Sequence, residues 1–148
     1  MKARFVLAAL LTTIPFASPA GAEPPNLFIN TVFAPYKTMG DWGGSVDACR
    51  EYCATDLAKL VKNARARKLI DYDVVCQCQK GGDAYLMFLG STGATSDDYS
   101  ATMKKVGKPG TWVLKLKWID GDWKINDIVE NRGGKQTSLR QRLTAAGA

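Results

Sequence analysis

The segment from Thr111 to Val129 constrains the fold more than any other part of the chain. It reads TWVLKLKWIDGDWKINDIV, in which apolar and polar residues alternate on both sides of Asp120-Gly121. Asp-Gly between two alternating segments is a strong signal for a two-residue β-hairpin turn, because both central residues must adopt a positive φ. The segment therefore predicts two antiparallel strands that pair outward from this turn.

Pairing outward from the turn gives the hairpin one apolar face and one cationic face, because successive side chains of a strand point to opposite sides. The predicted pairs are Ile119 with Asp122, Trp118 with Trp123, Leu116 with Ile125 and Leu114 with Asp127. The apolar face then comprises Trp112, Leu114, Leu116, Trp118, Trp123, Ile125 and Val129. The opposite face comprises Lys115, Lys117, Lys124 and Asn126. We expect helices to cover the apolar face.

Three segments have the features of helices. In the first, Asn26 is a candidate cap and Pro35 is expected to end or kink the helix. The second is predicted to begin at Ser45 and to end near Lys68. Its apolar stripe comprises Val46, Cys49, Cys53, Leu57, Leu60 and Ala64. A third, short helix is predicted over residues 138–146, capped by Thr137 or Ser138.

Three further segments alternate as strands do. They are residues 74–79, residues 84–89 and residues 99–105, and residues 90–98 are expected to form a loop. Together with the hairpin they give a mainly antiparallel sheet of about five strands. Two to three helices followed by such a sheet indicate an α+β domain with the helices on one face of a strongly curved sheet.

With these elements, the chain resembles the nuclear-transport-factor-two-like (cone-fold) superfamily, and within it a branch of exported bacterial proteins of unknown function. The likeness lies in Phe33 and Tyr36, in the segment DYDVVCQCQ at residues 71–79, in WKINDI at residues 123–128, and in Ser138-Leu139-Arg140. The resemblance implies a cone-shaped fold with a pocket on the concave face of the sheet. It implies little about activity, because this fold hosts enzymes, binding modules and scaffolds.

Residues 1–22 are predicted to be a cleaved signal peptide. A short basic start is followed by an apolar run from Phe5 to Phe16 and by Ala20-Gly21-Ala22, which fits the small-residue cleavage rule. The run is too short to remain as a membrane span. Residues 23–148 would form a single domain in the periplasm or outside the cell, and removing Lys2 and Arg4 lowers the net charge of +6 to +4.

The four cysteines of an exported chain are expected to form two disulfides. Cys49 and Cys53 lie about 6 Å apart along a helix, and Cys76 and Cys78 lie about 6.6 Å apart along a strand. If the chain returns antiparallel along the helix, these spacings match, and they predict bridges between Cys53 and Cys76 and between Cys49 and Cys78. A four-thiolate site for zinc or cuprous copper and a redox-active pair remain as alternatives. We expect no metal and no cofactor.

The sequence contains no histidine, which removes the usual general base and the Ser–His–Asp and Cys–His arrangements. One carboxylate is conspicuous, because Asp127 falls on the predicted apolar face, where burial would raise its pKa. Asp127 is therefore the candidate catalytic residue, with Tyr72 or Tyr85 as a helper. The candidate pocket residues are Tyr72, Tyr85, Trp112, Trp118, Trp123 and Asp127.

The expected function is non-catalytic binding of a small molecule, a peptide or a partner protein. An isomerase, dehydratase or hydrolase that uses Asp127 is the first alternative. An inhibitor or immunity-type protein that presents Lys115, Lys117 and Lys124 to an acidic partner is the second.

A basic cluster lies at residues 59–68, but no aromatic residues are interleaved with it, so we expect no nucleic-acid partner. Relatives of this fold dimerise through the sheet, which makes a homodimer an option.

Overall fold

The computed structural model describes residues 23–38, 47–79, 86–93, 97–105, 109–132 and 134–148. The predicted signal peptide, the predicted cap Ser45 and Tyr85 lie outside these residues. The helices are α1 (Pro25–Thr38), α2 (Ala48–Tyr52), α3 (Thr55–Ala66) and α4 (Leu139–Ala145). The strands are β1 (Leu86–Gly93), β2 (Asp98–Lys105), β3 (Thr111–Ile119), β4 (Asp122–Arg132) and β5 (Lys135–Ser138).

The five strands form one sheet in which each strand pairs antiparallel with its neighbour in sequence, in the order β1-β2-β3-β4-β5. The helices contribute to a single hydrophobic core together with β2, β3 and β4, so the predicted α+β class is confirmed. The members of the sheet differ from those predicted. Residues 74–79 form no strand, and β5 was not foreseen. In the part of the chain that the structure describes, no helix is long and apolar enough to cross a membrane.

The predicted hairpin is confirmed around its turn. Asp120 and Gly121 adopt φ values of 52° and 86°, as the Asp-Gly signal requires. Ile119 pairs with Asp122, Trp118 with Trp123 and Leu116 with Ile125, all as predicted. The local turn therefore sets the register of the first rungs.

Beyond those rungs a β-bulge changes the register between β3 and β4. Asn126 is the extra residue, so Asp127 lies opposite Lys115, and Leu114 pairs with Ile128 instead of Asp127. Ile128 is completely buried, whereas Val129 is half-buried. The predictions that Asp127 and Val129 lie on the apolar face are therefore wrong, because the bulge moves both residues off that face.

The first helix does not end at Pro35. It begins with Pro25, whose missing N–H is not needed in the first turn, and it continues through Pro35 to Thr38. Its buried residues are Phe28, Ile29, Val32, Phe33 and Tyr36, which form one stripe against the core. That packing outweighs the hydrogen bond that a proline inside a helix removes.

The predicted second helix is divided into α2 and α3. Cys53 and Ala54 are extended between the two helices, and the Ala54 N–H donates to the Ile125 carbonyl at 2.9 Å. The Ala54 N–H therefore donates to β4 next to the bulge, instead of to a carbonyl one turn earlier in a continuous helix. Asp47 caps α2 by accepting from the Arg50 N–H at 3.3 Å.

Residues 73–78 form a turn instead of the predicted strand. The Asp73 carboxylate accepts from the N–H groups of Val75 and Cys76, at 2.8 and 3.3 Å. The backbones of Asp73 and Cys78 close the turn with two hydrogen bonds of their own. An aspartate side chain that accepts from nearby N–H groups competes with strand pairing. Here this competition produces a turn although the alternating pattern predicts a strand.

The end of the chain agrees better with prediction. Helix α4 is capped by Ser138, whose hydroxyl accepts from the Gln141 N–H at 3.1 Å. Strand β2 matches the predicted strand over residues 99–105 closely. Strand β1 runs to Gly93 and so includes residues that were predicted to be a loop.

The predicted cross-bridges between the helix and the strand are wrong. Cys49 is bonded to Cys53, and Cys76 is bonded to Cys78. Because residues 73–78 form a turn, no strand returns along the helix to bring the two cysteine pairs into register. On the chain-entropy model, bridges that close such short loops stabilise the fold by about 2 kcal/mol or less each.

Tryptic mapping without reduction should distinguish the two pairings. Cleavage after Lys68 and Lys80 places Cys76 and Cys78 in one peptide, residues 69–80. We expect this peptide to be unlinked and lighter by two hydrogen atoms than after reduction. Cleavage after Arg50 should leave the Cys49 and Cys53 peptides joined to each other. A species that joins either of them to peptide 69–80 would contradict the pairing in the structure.

Candidate functional site

Asp127, the predicted catalytic carboxylate, serves to hold α4 against β4. Its oxygens accept from the Ser138 hydroxyl at 2.6 Å, from the Arg140 N–H at 3.1 Å and from its neighbour Ile128 N–H at 2.8 Å. All three donors belong to the start of α4 or to β4 itself. The position of Asp127 is therefore explained by helix anchoring, away from the core face of the sheet.

Arg140 makes a second connection between the helices and the bulge. Its guanidinium donates to the Asn126 carbonyl at 3.1 and 2.6 Å. It also pairs with Asp56 at the start of α3, and this hydrogen bond lowers the pKa of the Asp56 carboxyl. The bulge thus exposes two successive carbonyls, those of Ile125 and Asn126, which α3 and α4 use as attachment points.

The buried carboxylate of the sheet is Glu130, which is 2 % exposed. It accepts from the Tyr72 hydroxyl, from Gln77 Nε2 at 3.1 Å and from Arg142 Nη2 at 3.1 Å. Arg142 Nη2 also donates to the Tyr72 hydroxyl at 2.8 Å. We call these four residues the Glu130 cluster. A buried carboxylate requires such partners, because an unpaired charge in the interior is very costly.

The Glu130 cluster is connected to the 73–78 turn through Gln77. Gln77 adopts a φ of 55°, which is uncommon for a residue other than glycine. Its Nε2 donates to the Val74 carbonyl at 2.7 Å as well as to Glu130, and its own carbonyl accepts from Lys105 Nζ. The side chain and the backbone of Gln77 are therefore both held in place.

A pocket of about 330 Å³ lies beside this turn. It is lined by Gln77, Lys105, Pro109, Gly110, Thr111, Trp112 and Asn131. Trp112 is 5 % exposed, and its Nε1 donates to the Val75 carbonyl at 2.9 Å. Pro109, Gly110 and Asn131 are exposed. The pocket therefore has a buried aromatic residue on its protein side and Pro109, Gly110 and Asn131 toward solvent.

The residues predicted for a pocket are distributed over several places. Trp112 lines the pocket, and Tyr72 lies in the Glu130 cluster. Trp118 and Trp123 contact each other edge to face at 5.3 Å between ring centroids, and the Trp123 Nε1 donates to the Glu23 carbonyl at 2.7 Å. These two rings belong to a packing contact at the hairpin end and do not line the pocket that the structure describes.

A second buried pair supports the turn from α1. The Tyr36 hydroxyl donates to Asp73 at 3.1 Å. Burial raises the pKa of Tyr36, and the nearby Asp73 charge raises it further. Burial also raises the pKa of Asp73, although the N–H groups of Val75 and Cys76 oppose the change. Both groups serve to fix the turn against α1.

The predicted cationic face of the sheet carries acids as well. Lys124 pairs with Asp122 at 2.8 Å, and Lys115 donates to the Ser100 hydroxyl at 3.0 Å. In the strand register, Asp98 lies opposite Lys117 and Asp127 lies opposite Lys115. These acids reduce the positive charge of the face that was proposed to meet an acidic partner.

The sequence did not point to Glu130 or Lys105 as site residues, and it gave Gln77 only a minor role in ligand contact from a strand face. One signal for Glu130 was present: Ile125 and Ile128 are three residues apart, whereas uninterrupted alternation requires an even separation. Gln77 was assigned to a strand face, and nothing in the alternating pattern indicated a turn with a positive φ. Lys105 was taken only as the end of a strand.

Part of the chain is similar to a curated bacterial protein. No protein family matches the chain, and no solved structure matches it. Over 69 residues, 43 % of this chain, it is 36 % identical to the "Uncharacterized protein YqhG" of Escherichia coli (strain K12). That match covers 22 % of the relative, so the chain spans about a fifth of the length of the curated protein that it resembles.

Proposed function

We propose that this protein is a non-catalytic binding protein that holds a small molecule in the pocket beside Gln77 and Trp112. The observation that carries the proposal is the combination of a volume of about 330 Å³ with fixed walls. This volume is at the lower end of the range of small-molecule sites, about 300–1,000 Å³.

The walls support binding because they are organised before a ligand arrives. Trp112 is fixed by its bond to Val75, and Gln77 is fixed by Glu130, Val74 and Lys105. A site whose side chains are already ordered loses less conformational entropy when a ligand binds. The Glu130 cluster therefore acts as the support of one pocket wall.

The residues that line the pocket favour ligand binding over catalysis. None of the lining residues that the structure describes is a carboxylate, a cysteine or a histidine. The buried Glu130 is committed to Tyr72, Gln77 and Arg142, and Asp127 is committed to α4. General acid–base chemistry needs a proton-transfer group within hydrogen-bond reach of the ligand, and the ionisable residue among the described lining residues, Lys105, donates to the Gln77 carbonyl.

Three finer assignments are part of the proposal. Helices packed on an antiparallel sheet are compatible with a cone-shaped member of the nuclear-transport-factor-two-like superfamily. The leader-like residues 1–22 and the fully bonded cysteines support export to the periplasm or beyond. A homodimer would form through the face of the sheet on which Lys115 and Lys117 are exposed.

Filling the pocket tests the proposal. Thr111 is a lining residue at the start of β3, and the change Thr111→Phe enlarges this residue while keeping good strand propensity. After incubation with a cell metabolite extract and desalting, native mass spectrometry should detect a small-molecule adduct on the wild-type protein. We expect at least a tenfold smaller adduct fraction for Thr111→Phe.

The matched control is Thr102→Phe, because Thr102 is a half-buried threonine of β2 that does not line the pocket. This variant should retain the adduct at the wild-type level. The proposal is overturned if the wild-type protein retains nothing, or if both phenylalanine variants retain the same adduct to the same extent.

A further inference from the structure

Gln77 connects the turn at residues 73–78 to two strands of the sheet. Its carbonyl accepts from Lys105 of β2, and its Nε2 donates to Glu130 of β4 at 3.1 Å. Gln77 and Lys105 both line the pocket. A change in the backbone of Gln77 would therefore alter one lining residue and remove the hydrogen-bond acceptor of another.

A disulfide encloses Gln77. Cys76 and Cys78 are bonded to each other, so the backbone of Gln77 is part of a small covalent ring. Gln77 has a φ of 55°, in the left-handed region that is disfavoured for most residues with a Cβ. Because a small ring couples the torsion angles of its members, the bridge restricts the relaxation of Gln77 to a negative φ. Breaking the S–S bond removes that restriction.

The conformation of Gln77 also determines how the turn closes. Asp73 and Cys78 exchange two backbone hydrogen bonds, at 2.8 and 3.2 Å, across the residues between them. The Val75 carbonyl lies inside this turn and accepts from Trp112 Nε1 at 2.9 Å. If Gln77 relaxes, the chain no longer returns at the same point and the closing bonds break. The Trp112 indole N–H would then lose its fixed acceptor.

The other bridge has the same chemistry at a different place. Cys49 and Cys53 join the start of α2 to the residue that follows this helix, and neither is among the described lining residues of the pocket. All four cysteines are at most 5 % exposed, so access to solvent does not distinguish the two bridges. The Cys49–Cys53 bridge is therefore a matched control for the bridge that encloses Gln77.

We propose that the Cys76–Cys78 bridge is a redox switch of the pocket, which a dithiol opens. One thiolate of the dithiol attacks a sulfur of the bridge, the S–S bond breaks, and a mixed disulfide forms. The second thiolate then displaces the protein sulfur, so two electrons and two protons pass to the protein and the dithiol leaves as a cyclic disulfide. Gln77 relaxes, and the pocket releases its ligand.

This inference rests on the proposed binding function and adds its regulation. Because both sulfurs are buried, the attack requires a transient opening of the turn, and uncatalysed reduction should take minutes to hours.

Hydrogen-exchange NMR on the folded protein tests the switch without a ligand. The probe is the Trp112 indole N–H, which donates to the turn. The variant Cys49→Ala/Cys53→Ala keeps Cys76–Cys78 as its one bridge, and dithiothreitol is the dithiol. After reduction we expect the Trp112 indole N–H to exchange at least tenfold faster, and reoxidation should restore the original rate.

The Trp123 indole N–H is the internal reference. It donates to the Glu23 carbonyl at the other end of the hairpin, so its exchange rate should change less than twofold. The variant Cys76→Ala/Cys78→Ala should show the fast Trp112 exchange before any reductant is added and should not respond to dithiothreitol.

Circular dichroism checks that each variant is folded. If Cys49→Ala/Cys53→Ala is not, the wild-type protein takes its place, because its second bridge includes no described lining residue.

The outcomes separate the switch from the binding function. An unchanged Trp112 rate after reduction overturns the switch, and so does an equal acceleration of Trp112 and Trp123, because the bridge would then support the whole fold. An adduct from the metabolite extract that the oxidised and the reduced protein retain equally overturns the redox control and leaves the binding function in place. A Trp112 response with no adduct in either state supports the switch in the turn and contradicts the binding function instead.

Discussion

Replacing Glu130 with alanine should lower the free energy of unfolding by about 3–5 kcal/mol, because it removes one partner of a buried ion pair. Arg142, Tyr72 and Gln77 would each lose an acceptor, and the Arg142 charge would stay partly buried without its counterion. Urea unfolding followed by circular dichroism measures the effect. The same change should also lower binding to the pocket, since Gln77 loses a support.

Two further variants serve as references for the Glu130→Ala result. Glu130→Gln keeps the shape and one acceptor, so we expect it to cost less, about 1–3 kcal/mol. Glu51→Ala removes an exposed glutamate of α2 and should change the stability by about 0.5 kcal/mol or less. A Glu130→Ala protein as stable as Glu51→Ala would show that the cluster does not form.

The second large effect tests the bulge through two neighbouring residues. Ile128 is fully buried and pairs with Leu114, so Ile128→Ala should cost about 2–5 kcal/mol. Val129 is half-buried on the opposite face, and Val129→Ala should cost about 1 kcal/mol or less. Chemical denaturation of the two variants under identical conditions gives both values.

An uninterrupted ladder predicts the reverse order. Without the bulge, Val129 would occupy the core face and Ile128 would face outward, so a larger loss for Val129→Ala would contradict the register described above. Asn126→Ala is a useful third variant. It keeps the backbone carbonyl that Arg140 binds, and it should therefore preserve the difference between Ile128 and Val129.

The parts of the fold that depend on local chemistry were predictable from the sequence. The Asp-Gly turn fixed the first four rungs of the hairpin, and the Ser138 cap placed α4 correctly. The break between α2 and α3 was not predictable, because its cause is a hydrogen bond from Ala54 to Ile125, more than seventy residues away. Local periodicity contains no information about such a partner.

The site was harder to predict for a related reason. Its lining comes from Gln77, from Lys105, from residues 109–112 and from Asn131, which only the folded sheet and the turn bring together. The one carboxylate singled out, Asp127, was placed correctly for an uninterrupted strand. A single inserted residue, Asn126, moved it to the other face and put Glu130 on the core side.

The short range of both sulfur bridges has a consequence for biogenesis. With four thiols, three pairings are available, and a protein whose bridges span its topology must find the correct one after the chain has collapsed. Here each cysteine has its mate within four residues. Each bridge can therefore form within a short local segment, before the sheet exists, and a shuffling enzyme has little to correct.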